Sequence, residues 1–181
     1  MEPSSAPRTF PVVEIGVAET PIKARREAPE QPGGTSHEER FQKGSRATIR
    51  VHAPYRACLQ DLHGFDRVWL LYVFDRNQGW RPTVKPPRGG PPRGLFATRG
   101  PHRPSPIGLT CARLLEVTDD AIVVDESDLL DGTPVVDVKP YLRVRDAFPD
   151  ARAGWVDATD EDRARPDEKT DAPIEVSEEQ A

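Results

Sequence analysis

The chain has 181 residues, of which 36% are hydrophobic and 30% are charged, and it contains 20 prolines. Such a composition excludes a chain that buries apolar surface along its whole length, and it predicts one folded domain with solvated tails. The net charge of −5 is unevenly distributed, because residues 157–181 carry ten acidic and three basic residues, a net −7, which leaves +2 for residues 1–156.

The same sequence argues against several classes of protein. The longest apolar run, residues 68–74, is too short to span a bilayer, and the first residues lack the apolar segment of a signal peptide. Two cysteines, Cys58 and Cys111, do not make a disulfide framework. None of the four histidines stands at metal-ligand spacing with a cysteine. We therefore expect a cytoplasmic protein with no membrane segment and no metal site.

Short strands are predicted along most of the chain, with loops rich in proline and glycine between them. Residues 46–52 (RATIRVH) alternate polar and apolar side chains, which is the pattern of a half-buried strand. Residues 65–74 (FDRVWLLYVF) are apolar enough for a central strand. A short helix is predicted over residues 53–62, and a hairpin turn at residues 118–120. In chain order, the strands are predicted at residues 10–17, 46–52, 65–74, 94–98, 107–117, 121–125 and 134–140.

Five to seven short strands with few helices are typical of a mostly β fold. A doubly wound fold would alternate strands with long helices, which this sequence lacks. We predict a small single-domain antiparallel β-barrel with few short helices and disordered termini. The predicted organisation is a disordered segment at residues 1–8, the barrel domain at residues 9–150 and an acidic, mobile tail at residues 151–181.

Basic residues are concentrated after the predicted central strand. Residues 76–115 hold eight lysines or arginines and no acidic residue, which fits a polyanion or a negatively charged small ligand. In residues 95–109 (LFATRGPHRPSPIGL), Arg99, His102 and Arg103 stand among prolines that stiffen the loop, and a stiff loop loses less entropy when it binds an anion. The alternative is a rigid loop whose arginines pair with carboxylates of the same chain.

Residues 129–141 (LLDGTPVVDVKPY) combine a tight turn with carboxylates. Asp131 and Gly132 predict a turn just before a strand, and Asp128 lies close by on the same loop. Carboxylates there can accept hydrogen bonds from a ribose or from a base amine. The alternative is that Asp131 stabilises only its own turn. No G-x-G-x-x-G pattern follows a strand, so a Rossmann cofactor site is not supported.

Three motifs in this order, residues 79–88 (GWRPTVKPPR), 95–109 and 129–141, closely resemble the TrmO, or TsaA-like, tRNA methyltransferases. The similarity covers roughly residues 10–150. It implies a single β-barrel enzyme that acts as a homodimer and binds S-adenosylmethionine near the subunit interface. It also implies methylation of N6 of threonylcarbamoyladenosine at position 37 of tRNA, beside the anticodon. Because the acidic tail is short and polar, the chain resembles the compact members that lack an additional C-terminal domain.

Residue roles follow from the matched motifs and from the basic stretch. The resemblance implies that the cofactor is bound by Pro29, Glu30, Gln31, Asp75, Arg76, Arg99, Leu109, Asp128, Leu129, Asp131, Gly132 and Thr133. The basic positions expected to meet the phosphates of the anticodon stem-loop are Arg81, Lys85, Arg88, Arg93, His102 and Arg103. Family members usually read Pro-Arg-Gln-Pro where this chain carries Glu30, so one charge in that loop is reversed.

Methyl transfer to N6 requires a proton acceptor, because this nitrogen belongs to a urea in threonylcarbamoyladenosine and bears a hydrogen. A carboxylate or a tyrosine at the site can act as the general base. We expect Asp131 in this role, with Tyr141 and Asp128 as alternatives. Trp80, Phe96 or Tyr141 is expected to stack on an extruded base. Three rival interpretations remain open: a non-catalytic RNA-binding barrel, a methyltransferase of the same fold with a different substrate, and a structural or interaction protein whose functional part is the acidic tail.

Overall fold

Eight strands and four short helical segments are found in the computed structural model, which describes residues 7–24, 46–86 and 90–164. Two 3-10 helices span Ala53–Leu59 and Leu95–Ala97, and two α-helices follow, α1 (Arg143–Asp146) and α2 (Trp155–Ala164). The strands are β1 (Gly16–Glu19), β2 (Ala47–Val51), β3 (Arg67–Val73), β4 (Thr83–Val84), β5 (Arg93–Gly94), β6 (Ile107–Val117), β7 (Ala121–Asp125) and β8 (Pro134–Pro140).

Six of these strands close into a barrel in the order β1-β2-β7-β6-β3-β8, and β8 pairs with β1 to complete it. Every pairing in the barrel is antiparallel. β4 and β5 form a separate two-stranded antiparallel sheet. Closure pairs the backbone groups that an open sheet would leave at its edges. The predicted fold class, a mostly β protein with a small antiparallel barrel, is confirmed.

The interior of the barrel is filled by apolar side chains at alternate strand positions. In β3, Val68, Leu70 and Tyr72 are buried, whereas the residues between them are half-buried. Ile122 of β7 and Val135 of β8 belong to the same core. This alternation is the period of two expected of a strand, and full burial of one such aliphatic side chain contributes roughly 1.5–3 kcal/mol. Because the interior is packed, a ligand must bind at an end of the barrel or on its outside.

Two predicted strands are placed differently in the structure. The first strand begins at Gly16 and not at residue 10, and Phe10 and Val13 are exposed. Backbone pairing starts only at Ile15, whose N–H donates to the carbonyl of Val135 at 2.8 Å. The predicted strand is too long at its start because the apolar residues there are exposed and do not pair in the sheet.

The predicted strand at residues 94–98 is wrong. The short strand β5 ends at Gly94 and is followed by a 3-10 helix, Leu95–Ala97. The hydroxyl of Thr98 donates to the carbonyl of Leu95 at 2.9 Å and so stabilises the tight turn. Leu95 is the one buried residue of this segment. The apolar residues of the segment therefore resembled a strand in the sequence, although they are not buried on one face of a sheet. Strand β4 lies between the predicted strands at residues 65–74 and 94–98, where the sequence predicted no strand.

Neighbouring strands of the barrel run in opposite directions, and this decides at which end of the barrel each connection lies. β1, β3 and β7 end at the same end of the barrel, where β2, β6 and β8 begin. We call this end the mouth. Three connections therefore start and finish there, those between β1 and β2, between β3 and β6, and between β7 and β8. The β6–β7 hairpin and the segment after β8 lie at the opposite end.

The described residues divide into two units, one up to Asp146 and one from Ala147 onward, and the barrel lies in the first of them. Helix α2 lies in the second unit, within the predicted acidic tail. The boundary at residue 150 and the mobility of the tail stay predictions. Within the ranges that the structure describes, no helix is long and apolar enough to cross a membrane.

Candidate functional site

The β7–β8 connection, residues 126–133, is anchored to the end of β1 and to the segment that follows it. The N–H of Asp131 donates to the carbonyl of Ile22, and the N–H of Gly132 donates to the carbonyl of Ala18, both at 2.8 Å. Gly132 has a φ of 78°, a left-handed conformation that glycine adopts without strain. The predicted tight turn at Asp131 and Gly132 is therefore present, and backbone hydrogen bonds fix it to the wall of the mouth.

Asp131 uses both oxygens of its carboxylate to hold the mouth together. Oδ1 accepts a hydrogen bond from the N–H of Thr20 at 3.0 Å, and Oδ2 lies 2.7 Å from Nζ of Lys23. The Lys23 ammonium, together with the Thr20 N–H, holds the pKa of the Asp131 carboxyl below its usual range. A carboxylate with these partners is well suited to hold a loop and poorly suited to accept a proton.

Arg76 connects the segment after β3 to the same turn. Its Nη2 donates to the carbonyl of Asp131 at 2.5 Å, and its Nε lies 3.9 Å from the carboxylate of Asp75. A Cβ at position 132 would lie 3.1 Å from Nη2, so glycine leaves room for the guanidinium. Three residues that the sequence predicted for one site, Asp75, Arg76 and Asp131, are thus brought together.

Asp128 has a different environment from Asp131. Its Oδ1 accepts a hydrogen bond from the hydroxyl of Thr110 at 3.0 Å, and the Thr110 hydroxyl lies 3.1 Å from that of Tyr72. The side chain is half-buried. In the described part of the chain, no lysine or arginine lies within ion-pair distance of it, in contrast to the Lys23 partner of Asp131.

Two predicted cofactor residues direct their side chains into the protein interior. Leu129 is buried in the core, and Thr133 is buried with its hydroxyl donating to the carbonyl of Leu130 at 2.7 Å. Only their backbone groups can meet a ligand at the mouth. The carbonyl of Leu129 already accepts a hydrogen bond from the hydroxyl of Thr20 at 3.2 Å.

The β3–β6 connection presents basic and aromatic side chains. Arg81, Lys85 and Arg99 are exposed, whereas Arg93 is half-buried. Phe96 is 81% exposed and Trp80 is 55% exposed, which is unusual for large aromatic side chains. This connection therefore combines cations with exposed rings, as nucleic-acid interfaces do.

Arg103 and His102 have structural partners within the same connection. Nη1 of Arg103 donates to the carbonyls of Thr98 at 3.0 Å and Gly100 at 3.3 Å, and its guanidinium lies 5.6 Å from the centre of the Phe96 ring. Nδ1 of His102 lies 3.3 Å from the carbonyl oxygen of Gln78. Arg103 thus orders the loop and supports the exposed Phe96, a role the sequence had not predicted for it.

Tyr141 lies away from the other candidates. It follows β8 at the end opposite the mouth, where its N–H donates to the carbonyl of Arg67 at 3.0 Å and its ring centre lies 5.9 Å from that of Trp69. The length of β8 separates Tyr141 from Asp131 by on the order of 20 Å. Within one chain, the structure therefore does not bring Tyr141 to the mouth, and its catalytic role has no geometric support there.

An open concavity of about 580 Å³ lies beside the turn of Asp131. This volume falls within the range typical of small-molecule sites. The described residues that line it carry both signs of charge: Glu19, Thr20, Pro21, Lys23, Arg46, Thr48 and Asp131.

The outer face of β3 and β6 is apolar close to the mouth. Leu71 pairs with Leu109, and Val73 pairs with Ile107, so the register places four apolar side chains on one outer surface. Ile107 is 42% exposed and Leu109 is 49% exposed. Leu109, predicted to contact the cofactor, points outward from its own barrel. We call these four residues the β3–β6 outer face.

Some predicted residues lie outside the described residues, namely Pro29, Glu30, Gln31 and Arg88. No group of three or more potential metal ligands occurs in the ranges that the structure does describe. The sequence did not single out Thr20, Lys23, Thr110 or Tyr72. Their contacts join positions far apart in the chain, and the only available signal was that Thr110 directly follows the motif at residues 95–109.

The fold and the mouth define a small antiparallel β-barrel protein with one polar, partly basic end. The chain belongs to the family described as the tRNA-methyltransferase O N-terminal domain, whose model matches residues 17–147. This confirms the resemblance drawn from the three motifs.

Relatives of known name support the same assignment. The chain is 40% identical to a tRNA (adenine(37)-N6)-methyltransferase of Escherichia coli strain K12, over 81% of this chain and 64% of the relative. It is 37% identical to a probable S-adenosyl-L-methionine-binding protein of Archaeoglobus fulgidus, over 78% of this chain and 37% of the relative. The crystal structure of TrmO from Pseudomonas aeruginosa matches with a TM-score of 0.64 and 31% identity, over 81% of this chain and 62% of that one. The chain thus spans less than two thirds of each of these proteins.

Replacement of Asp131 tests its role in holding the mouth. A carboxyl whose pKa is lower in the folded than in the unfolded state stabilises the fold above its unfolded pKa, near 3.9, and this stabilisation is lost as the pH falls through the folded pKa. We expect Asp131→Asn to be less stable than the wild type at pH 7 and the difference to shrink below about pH 4. Urea denaturation at several pH values measures this. Asp119→Asn, in the exposed β6–β7 turn, is the control, and a pH-independent loss would contradict the prediction.

Proposed function

We propose that this chain is an S-adenosylmethionine-dependent methyltransferase that methylates N6 of the adenosine at position 37 of tRNA. The observation that carries the proposal is that three connections meet at the mouth. They place the carboxylates of Asp128 and Asp131, the exposed Arg99 and the basic, aromatic β3–β6 connection around one end of a packed barrel. Relatives named tRNA (adenine(37)-N6)-methyltransferase and probable S-adenosyl-L-methionine-binding protein support it.

The concavity beside Asp131 fits the chemistry of the cofactor. S-adenosylmethionine carries a carboxylate, an ammonium group and a ribose diol, and the concavity offers Lys23 and Arg46 as cations and Glu19 and Asp131 as acceptors. When bound, S-adenosylmethionine supplies an activated methyl group on a sulfonium. The protein must then align the acceptor nitrogen and exclude water. The carboxylate of Asp131 can accept from the cofactor only as part of the network with Lys23 and Thr20.

Asp128 is the better candidate for the proton acceptor at the mouth. Asp131 has a bonded partner on each oxygen, one of them a cation that lowers its pKa. Asp128 is held by a neutral hydroxyl on one oxygen only. We propose that Asp128 takes the proton that N6 loses, and that the substrate is the threonylcarbamoyl form of the adenosine, whose urea nitrogen requires such an acceptor.

The β3–β6 connection is proposed as the surface that binds the anticodon stem-loop. Arg81 and Lys85 are exposed and can meet phosphates. Phe96, supported by Arg103, and Trp80 present ring faces on which unpaired bases can stack. Arg99 is exposed on the same connection and can balance the carboxylate of the cofactor or of the threonyl group.

A second copy of the chain is proposed to pack on the β3–β6 outer face. Ile107 and Leu109 of β6 are 42% and 49% exposed and lie beside Val73 and Leu71 of β3, and a contiguous exposed apolar patch of this kind is typical of an interface. In a homodimer formed there, Leu109 of each chain would lie in the interface, close to the mouths of the two barrels. The dimer would thus explain why Leu109 points outward, which a single barrel does not.

The proposed activity is tested with the purified chain, labelled S-adenosylmethionine and tRNA from a strain that lacks this methyltransferase. Nucleoside mass spectrometry should show one added methyl group on threonylcarbamoyladenosine, mapped to position 37. Methylation of unmodified adenosine would remove the threonylcarbamoyl substrate from the proposal. Binding of tRNA without methyl transfer would support a non-catalytic barrel, and methyl transfer to other substrates alone would support a different specificity.

The division between the two aspartates makes a sharp prediction. Asp128→Asn should slow methyl transfer by about 10²- to 10⁴-fold at saturating cofactor and tRNA, because it removes the proton acceptor. Its affinity for S-adenosylhomocysteine, measured by calorimetry, should change little. The matched change Asp131→Asn should weaken that affinity more than it slows transfer. The opposite pattern would assign the proton to Asp131.

Salt dependence tests the basic surface. The affinity for tRNA should fall steeply as salt rises, and Arg81→Ala or Lys85→Ala should each reduce the slope of log affinity against log salt by roughly 0.7–0.9. Filter binding at four or five salt concentrations gives the slope. Arg145→Ala, at the end opposite the mouth, is the control and should leave the slope unchanged. A slope that no variant at the mouth alters would remove this surface from the proposal.

The proposed dimer predicts a change of mass on replacement of one outer residue. The wild type should sediment as a dimer, and Leu109→Asp should sediment as a monomer, because a charge would be buried in the interface. Leu115→Asp is the matched control, since Leu115 lies on the same strand, is 39% exposed and is closer to the opposite end. Analytical ultracentrifugation distinguishes these outcomes, and a monomeric wild type would refute the proposed dimer.

A further inference from the structure

Three polar groups form a chain of hydrogen bonds from the barrel interior to the mouth. The hydroxyl of Thr110 donates to Oδ1 of Asp128 at 3.0 Å, and it lies 3.1 Å from the hydroxyl of Tyr72. A threonine hydroxyl carries one proton, so the proton given to Asp128 leaves Thr110 to accept that of Tyr72. The direction of the chain is therefore fixed, from Tyr72 through Thr110 to Asp128.

The starting point of this chain is rigidly held. Tyr72 is buried in the core, and its ring packs edge-on against Phe74 with 5.3 Å between centres. Gly108 lies opposite it on β6, and a side chain at position 108 would collide with the ring. Burial, with the charge of Asp128, raises the pKa of the Tyr72 phenol above its usual range. The phenol therefore keeps its proton and remains a donor.

The position of Thr110 also needs an explanation. It pairs with Leu70 across β3 and β6, so its side chain shares the inward face with a fully buried leucine. A hydroxyl there costs free energy unless it is hydrogen-bonded, and an apolar side chain would fill the space without that cost. Here the hydroxyl is hydrogen-bonded to both Asp128 and Tyr72, so the half-buried Thr110 links the barrel interior to a carboxylate of the mouth.

We propose that Thr110 and Tyr72 are positioning residues, which orient Asp128 by holding its Oδ1 and leave Oδ2 to take the proton of the substrate. The inference rests on the proposed methyl transfer. In that step N6 gives its proton to Asp128 as the nitrogen lone pair forms the bond to the methyl carbon. The electron pair of the broken carbon–sulfur bond stays on sulfur. Neither positioning residue touches a reacting atom.

Kinetics of paired variants test the inference. Thr110→Val keeps the shape and removes the donor, and it should lower kcat about ten- to a hundredfold, the usual effect of losing a hydrogen bond to a charged group. KM for tRNA and the affinity for S-adenosylhomocysteine should change little. Thr110→Ser restores the hydroxyl and should restore kcat. Tyr72→Phe should lower kcat less than Thr110→Val, because Thr110 still donates to Asp128.

A matched control separates positioning from stability. Thr118→Val removes a threonine hydroxyl that also donates to an aspartate, Asp120, at 3.2 Å, but in the hairpin at the opposite end. It should lose a similar amount of thermal stability and keep full kcat. If kcat follows thermal stability in all of these variants, the role is structural and the inference fails. If Thr110→Val does not fold, the comparison of Tyr72→Phe with the wild type decides.

A second measurement does not depend on activity. The carbon-13 carboxyl signal of Asp128, assigned with Asp128→Asn, should be single and sharp in the wild type and in Thr110→Ser. It should broaden or split in Thr110→Val, because the carboxylate is no longer held in one orientation. An unchanged signal in Thr110→Val would overturn the inference even in an active enzyme. If the wild type transfers no methyl group to tRNA, the proposed function fails, and this signal still decides whether Thr110 positions Asp128.

Discussion

The mouth depends on one constraint, the antiparallel pairing of every strand in the closed barrel. Because adjacent strands run in opposite directions, successive connections must alternate between the two ends. Among the described residues, 20–24, 74–86, 90–106 and 126–133 all belong to connections at the same end, although these ranges come from three separate parts of the sequence. Backbone hydrogen bonds from Gly132 to Ala18 and from Asp131 to Ile22 then fix the β7–β8 connection against the end of β1 and the segment after it. Three polar segments thereby meet at the mouth, outside a barrel interior that is too tightly packed to hold a ligand.

The sequence predicted the barrel because the period of two is strong where strands are half-buried. The strands at residues 47–51, 107–117 and 121–125 were placed to within a residue, since one face of each meets the core. The pattern failed at residues 94–98, because three apolar letters cannot distinguish a strand from a single helical turn. The hydroxyl of Thr98, which closes that turn, has no periodic signature. Local hydrogen bonding decided the structure where hydrophobic patterning was too short to do so.

Only those parts of the site that lie within the sequence motifs could be predicted. The turn at Asp131 and its neighbour Arg76 followed from residue types that are particular to such turns and loops. Tyr141 was grouped with Asp131 because the two share a motif, but a seven-residue strand separates them. Conversely, Thr110 and Tyr72 meet only through the register of β3 with β6, which no local pattern reveals. Cross-strand neighbours become visible only when the pairing of strands is known.

The environments of the two aspartates fit the different roles proposed for them. A cation in contact with a carboxylate favours its charged form and so makes it a weaker base, as Lys23 does for Asp131. That contact is useful for a residue that must hold a loop and a bound cofactor through a reaction. A residue proposed to accept a proton needs to be oriented, and a neutral hydroxyl can orient a carboxylate without a cation in contact with it. Asp128 has such a donor in Thr110, and the buried Tyr72 fixes the direction of that donor from inside the barrel.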